Sequence, residues 1–261
     1  MYIWIWITYA FIFGLCFGSF ANVLAYRLPR KLSVIKPASS CPACKHRLGV
    51  LDLIPVLSHA FLRGRCRYCK KSISVRYSIV ELICAMLFAG MVFFTTSLSA
   101  IPLAFLAFIL LAITLIDWSI QEIPNNLVIA GSIAGVAWIA AAFFIPEILP
   151  HAPVWHNALI GAAVGAMPLL LIDRVCIWAL KKDGFGYGDV KLMAMAGLFL
   201  GWHLTLVAFL FAFITAGAYA AFLMATGRAK TGTYIAFGPF LCAGSLAALW
   251  FGQEFMGLLF T

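Results

Sequence analysis

Pro102-Leu103-Ala104-Phe105-Leu106-Ala107-Phe108-Ile109-Leu110-Leu111-Ala112-Ile113-Thr114-Leu115-Ile116-Asp117-Trp118 is an apolar run that ends on a carboxylate. A run of this length and composition reads as a helix crossing hydrocarbon, because lipid requires every backbone polar group to find its partner within the segment. An ionised acid at the edge of that hydrocarbon costs several kcal/mol, so Asp117 is a functional candidate by default. A second acid stands at the head of another apolar run, in Gly186-Tyr187-Gly188-Asp189. Two such acids at one site suit hydrolysis: close carboxylates do not both ionise comfortably, so one keeps a proton as general acid while the other takes a proton from water. Gly186 and Gly188 are expected to let the backbone turn sharply and a substrate chain come close. The plainer alternative makes Asp189 a helix N-cap and Asp117 a helix-end acid facing water.

The rest of the composition agrees with a membrane setting. Of 261 residues, 64% are hydrophobic and 10% charged, and the mean hydropathy is +1.04. A soluble domain carries about 25% charged residues. The fold class is therefore an all-α polytopic membrane protein. The net charge of +9 is unevenly placed. Residues 27–77 hold twelve of the eighteen Lys and Arg and a single acid, Asp52. By the positive-inside rule that segment is cytoplasmic. Nucleic-acid binding is the rival reading of a basic loop, but topology and anionic lipid explain it without a further partner.

The same segment contains Cys41-Pro42-Ala43-Cys44 and Cys66-Arg67-Tyr68-Cys69, separated by twenty-one residues. Paired CxxC knuckles at this spacing predict a tetrahedral zinc site on Cys41, Cys44, Cys66 and Cys69. Disulfides are the alternative, which a reducing cytoplasm opposes. The segment is too small to bury much core, so a metal would supply folding energy. His46 and His59 read as bystanders. Cys16, Cys84, Cys176 and Cys242 lie singly in apolar runs, as small buried hydrophobes do.

Apolar runs over residues 3–26, 78–96, 102–118, 127–146, 157–180, 190–202, 204–226 and 234–258 predict eight spans. With no basic residue before it, the first is expected to be retained with its N-terminus outside. The organisation expected is thus residues 1–26 as a first helix, 27–77 as a basic zinc-binding loop, and 78–261 as a membrane core. Alternation puts 119–126, 181–189 and 227–233 in the cytoplasm, where Lys181, Lys182, Arg228 and Lys230 suit the rule. Asp117 and Asp189 then emerge on the same side. Run 190–202 is short for the bilayer, which implies a re-entrant or shielded helix. Gly131/Gly135, Gly161/Gly165 and Gly197/Gly201 read as helix-packing faces. Pro168 and Pro239 are expected to kink the spans that contain them, and Tyr2, Trp4, Trp6 and Tyr9 to form an interfacial belt. There is no HExxH or GxSxG motif and no Gly-rich phosphate loop.

In these residues the chain resembles the type IV prepilin leader peptidases, GxGD-type aspartic proteases of the bacterial inner membrane. The resemblance is carried by Gly18-Ser19-Phe20, Asn22-Val23, Tyr26-Arg27-Leu28-Pro29 and both CxxC pairs. It continues through Asp52-Leu53-Ile54-Pro55-Val56-Leu57-Ser58, Arg63-Gly64-Arg65, Ser74-Val75-Arg76-Tyr77 and Val80-Glu81. Asp117 with Ile123-Pro124-Asn125, Gly186 through Leu192, and Phe237-Gly238-Pro239-Phe240 complete it. Ser78 departs from the pattern, where proline is commoner after Arg-Tyr. The resemblance implies eight transmembrane helices and catalytic aspartates at Asp117 and Asp189. It implies removal of the basic leader of a type IV prepilin or pseudopilin at the cytoplasmic face. It also implies N-methylation of the new terminus with S-adenosylmethionine, an activity linked with the cysteine loop and its metal. Glu122 and Asp183 flank the acids and are candidates to meet the leader's charges, or else solvated loop acids. The rival class is a non-enzymatic transporter or assembly scaffold with a zinc knuckle.

Overall fold

The apolar runs become helices: α1 (Ile3–Arg27), a short α2 (Leu57–Phe61), α3 (Arg76–Thr95), α4 (Ala100–Ile120), α5 (Asn125–Phe144), α6 (Trp155–Leu180), α7 (Tyr187–Ala225) and α8 (Gly238–Phe260). The structure, a computed structural model, describes residues 2–181, 186–228 and 235–260. Lys182, Asp183 and Lys230 lie outside the described residues. Among those described, β structure is confined to two isolated bridges. Among the described residues, six helices are long and apolar enough to cross a bilayer, namely α1 and α3 to α7. With the 23-residue α8, the chain is a multi-pass membrane protein.

Two compact units divide it, Met1–Thr96 and Ser97–Thr261. In the first, α1 lies directly on α3 because Gly14 and Gly18 carry no side chain there. A Cβ at Gly14 would sit 2.5 Å from the Ala85 Cα, and one at Gly18 2.6 Å from the Glu81 Cα. Such small-residue faces let helix backbones approach where lipid supplies no hydrophobic drive. Asn22 locks the pair, donating from Nδ2 to the Tyr77 carbonyl at 3.2 Å. At the end of α1, Arg27 turns the chain into the loop by donating to the carbonyls of Ser33 and Pro37. Tyr2, Trp4, Trp6 and Tyr9 are all exposed, as interfacial aromatics require.

In the second unit α4 is the central helix. Leu106, Leu110, Ile113 and Ile116 are completely buried against neighbours that include α5 and α8. The small-residue pairs do pack: Gly131 and Gly135 of α5 lie on Met195 and Phe199, and Gly161 and Gly165 of α6 lie on the α7 backbone at Gly197, Gly201 and Met193.

The two runs expected as separate spans at 190–202 and 204–226 form one 39-residue helix with a break. The break is Gly201, whose φ of 68° belongs to a region that side chains disfavour. The Trp202 N–H released there is recovered by the Asn157 Oδ1 at 3.2 Å, so the chain changes direction without an orphaned donor. The segment before the break spans roughly 21 Å at 1.5 Å per residue, short of the bilayer core. Pro168 lies inside α6 as expected. Pro239 does not lie inside a span; it stands in the first turn of α8, where a missing N–H costs nothing and a fixed φ favours initiation. Of the single cysteines, Cys84 and Cys242 are buried, whereas Cys16 is exposed and Cys176 half-exposed, on helix faces that meet no neighbour closely.

The α6–α7 contact gives a stability test. A Cβ at Gly197 would meet the Gly161 carbonyl and the Ala162 nitrogen, backbone atoms that cannot swing aside. Gly197→Ala is expected to destabilise the membrane unit by about 1–3 kcal/mol, seen as a lower melting temperature in detergent. An unchanged melt contradicts the close approach.

Candidate active site and cysteine cluster

Asp117 lies in the last turn of α4 and Asp189 in the first turn of α7. Both carboxylates are nearly withdrawn from solvent, 5% and 7% exposed. They line one cleft of about 270 Å³. Its wall also includes Glu122, Asn125, Lys191 and Phe237, so three acids and one lysine face a common space.

Each element arrives there for a local reason. Helix α4 ends at Gln121, in the left-handed region at φ 57°, which turns the chain sharply after Asp117. Pro124 is extended and starts α5, returning Ile123 and Asn125 to the cleft. Gly186 caps α7, and the Asp189 N–H donates to its carbonyl at 2.9 Å. The sharp turn expected of the two glycines is absent. Gly186 has the extended values φ −67° and ψ 138°, open to any residue, and Gly188 is helical. Gly188 is small for a different reason: a Cβ there would come within 3.0 Å of the Ile123 Cβ.

Glycine backbone lies against both carboxylates: a Cβ at Gly238, at the start of α8, would stand 2.5 Å from the Asp117 Oδ2, and one at Gly186 3.4 Å from the Asp189 Oδ2. Lys191 donates from Nζ to the Asn125 Oδ1 at 3.0 Å and rests 4.7 Å above the Tyr187 ring. This arrangement holds a cation beside the acids without an ion pair to either among the described contacts. Sequence reading assigned no role to Asn125, Lys191 or Gly238. Only their place in family-like motifs marked them.

The four cysteines also meet. Their sulfurs lie within 4.8 Å of one another, with Cys41 and Cys69 Sγ 3.9 Å apart. Zinc–sulfur bonds of about 2.3 Å in a tetrahedron put sulfurs about 3.8 Å apart, so the donor set fits zinc. All four are free thiols, not disulfides. The two knuckles are copies of one turn. In the first, Cys41 N–H donates to the His46 carbonyl and Lys45 N–H to the Cys41 carbonyl; in the second, Cys66 pairs likewise with Lys71 and Lys70. Lys45 and Lys70 share φ values of 60° and 58°, and the bridges Ser40–Arg47 and Arg65–Ser72 close the two turns. The backbone at Cys44 and Ala43 brings the Cys41 thiol down to about 6, toward the thiolate a metal needs, while the neighbouring sulfurs help to push Cys44 up to about 11. His46 stacks on Tyr68, and His59 lies by Gly64; neither joins the four sulfurs.

Two acids hold this unit together. Asp52 accepts from Arg67 Nε at 2.6 Å, from the Tyr68 hydroxyl and from the Gly49 N–H, and the Arg67 guanidinium keeps its carboxyl below the usual range. Glu81, in α3 and 7% exposed, accepts the Val56 N–H at 2.7 Å. That bond ties a residue in a strained φ of 59° to the helix pair. A second cleft, of about 300 Å³, is lined by Leu62, Arg63, Arg65, Cys66 and Lys70. Its cations suit a carboxylate but oppose the sulfonium of S-adenosylmethionine, so it does not fit that donor as a whole.

Comparison with known proteins agrees with both halves. Residues 12–95 match a family model described as the bacterial peptidase A24 N-terminal domain, and residues 104–221 one described as the type IV leader peptidase family. A prepilin leader peptidase/N-methyltransferase of Pseudomonas putida is 34% identical over 95% of this chain and 91% of its own length. One of Bacillus subtilis is 35% identical over 94% of each chain. No solved structure matches the chain significantly. With its buried aspartates in one cleft and its paired cysteine knuckles, the chain belongs to the type IV leader peptidase family.

Proposed function

We propose that the chain is a membrane aspartic endopeptidase that removes the leader from type IV prepilins or pseudopilins, then methylates the new N-terminus. The observation that carries the peptidase is the shared cleft of Asp117 and Asp189 in a chain of this family. The names of the relatives support the methyl transfer. A transporter or scaffold would not need two buried acids open to one cleft, and the relatives named above are leader peptidases.

The chemistry follows from the pair. One aspartate is ionised and the other protonated, since two close charges in a desolvated cleft repel each other. The ionised carboxylate takes a proton from water, whose oxygen attacks the scissile carbonyl carbon. The protonated aspartate donates to the carbonyl oxygen as it gains charge. When the tetrahedral species collapses, the C–N bond breaks and the leaving amine receives the proton first taken from water. No enzyme–substrate covalent bond forms. Lys191, held by Asn125, adds positive potential beside the developing oxyanion. Gly186 and Gly188 keep the cleft wall low for the substrate backbone. Glu122 faces the same space and suits the basic leader. The basic residues of 27–77 support a cytoplasmic loop, an external N-terminus and a cytoplasmic active site in the inner membrane.

Zinc on Cys41, Cys44, Cys66 and Cys69 would be structural, because four thiolates leave no position for water. It would fix the two knuckles of a segment with little core of its own. S-adenosylmethionine is the donor that methyl transfer requires, and the residues of the basic cleft do not suit it.

Asp117→Asn and Asp189→Asn are each expected to abolish leader cleavage while the protein stays in the membrane, since an amide neither accepts the proton nor carries the charge. Full cleavage by either variant removes that aspartate from the mechanism. For the cysteines, metal analysis is expected to return about one zinc per chain, lost in Cys41→Ser/Cys44→Ser. The mass of trimmed pilin should show methylation falling more than cleavage in that variant. Loss of cleavage in a folded variant, or trimmed pilin that the intact chain never methylates, contradicts this division of labour.

A further inference from the structure

We infer that Gly238 is a positioning residue for the catalytic pair, making room for the Asp117 carboxylate by having no Cβ. The inference rests on the peptidase reading of the dyad. Two observations carry it. A Cβ at this position would stand 2.5 Å from the Asp117 Oδ2 and 3.1 Å from its Cγ, with the Ile123 Cδ1 at 3.3 Å on the other side. Finally, Gly238 is not among the residues of positive φ, so its backbone conformation does not demand glycine. What the position requires is the missing side chain.

The start of α8 suits a carboxylate lying against it. The first N–H groups of a helix have no intrahelical partner, and their partial positive charge favours an anion at that point. Here Phe240 and Leu241 donate back to the Phe237 carbonyl, at 3.0 and 3.2 Å, and Pro239 has no N–H to give. The Gly238 backbone is the part of the helix start that meets Asp117, and the same carboxylate lines the cleft that Asp189 shares.

Gly238 could instead be a packing glycine, like Gly244 against Ala208 and Ala212. The two roles differ in what a substitution moves. A packing defect lowers stability whatever stands at position 117. A positioning defect is coupled to the carboxylate.

The test uses the full-length chain in detergent, with Gly238→Ala and Asp117→Ala made singly and together. Gly238→Ala is expected to lower kcat for leader cleavage about 100-fold, since roughly an ångström of misplacement costs that much. KM should stay within about twofold, and the pH–rate profile should shift, because substrate binding is intact and one carboxyl has been displaced from its place. Gly238→Ala should also lower the melting temperature, and by less than half as much in the Asp117→Ala background, where the clash is gone. Wild-type kcat in Gly238→Ala overturns the inference. So do equal melting shifts in the two backgrounds, or failure of Gly238→Ala to fold in both. The melting cycle needs no substrate. If the unaltered chain never cleaves a prepilin, the peptidase reading fails, and the cycle still decides the contact.

Discussion

A carboxylate inside a membrane bundle must be given partners there, and the second unit is arranged around doing this twice. Each aspartate sits at a helix end, where backbone groups are free to help. Asp117 closes α4 and lies against the backbone at the start of α8; Asp189 opens α7 with its carboxylate beside its own cap at Gly186. At the centre of a transmembrane helix either acid would cost about 2.5–3.5 kcal/mol on insertion scales with no such relief. Placing them at the ends lowers that cost and leaves one side of each open to water. The break at Gly201 belongs to the same arrangement. It leaves α7 with a short first segment, packed through glycines on α6, that carries Asp189 at its head.

The first unit solves a different problem, how to give a basic loop a fixed shape with little apolar core. Two copies of one turn present four sulfurs, and in each a lysine N–H donates to the carbonyl of the turn's first cysteine. Asp52, the one acid of residues 27–77, is spent on the second knuckle through Arg67 and Tyr68. Glu81 reaches from α3 to the backbone at Val56. The ion pair and the buried carboxylate act on the same short stretch that carries the four sulfurs.

Much of this was readable from residue types. Long apolar runs announce helices because hydrocarbon permits little else, and CxxC pairs announce a sulfur cluster because the spacing sets the turn. An acid at a hydrophobic edge stands out because it is costly. What the sequence hid depends on backbone geometry and on atoms that are missing. Gly201 breaks a helix and looked like one more small residue on a packing face. Pro239 looked like a kink but starts a helix, a difference of four residues in where α8 begins. Gly186 and Gly188 were expected to turn the chain, yet one is extended and the other is small for the sake of Ile123. Asn157 repairs the break at Gly201 from forty-five residues away, and no local pattern announces such a partner.

The central claim is that Asp117 and Asp189 work as one acid–base pair sharing a proton. The dependence of kcat/KM for leader cleavage on pH tests it most directly in the unaltered chain. A shared proton requires a bell, with activity lost on one side when both carboxyls are protonated and on the other when both are ionised. Activity that rises with pH to a plateau and shows no second limb would mean a single base at work, and would contradict the pair.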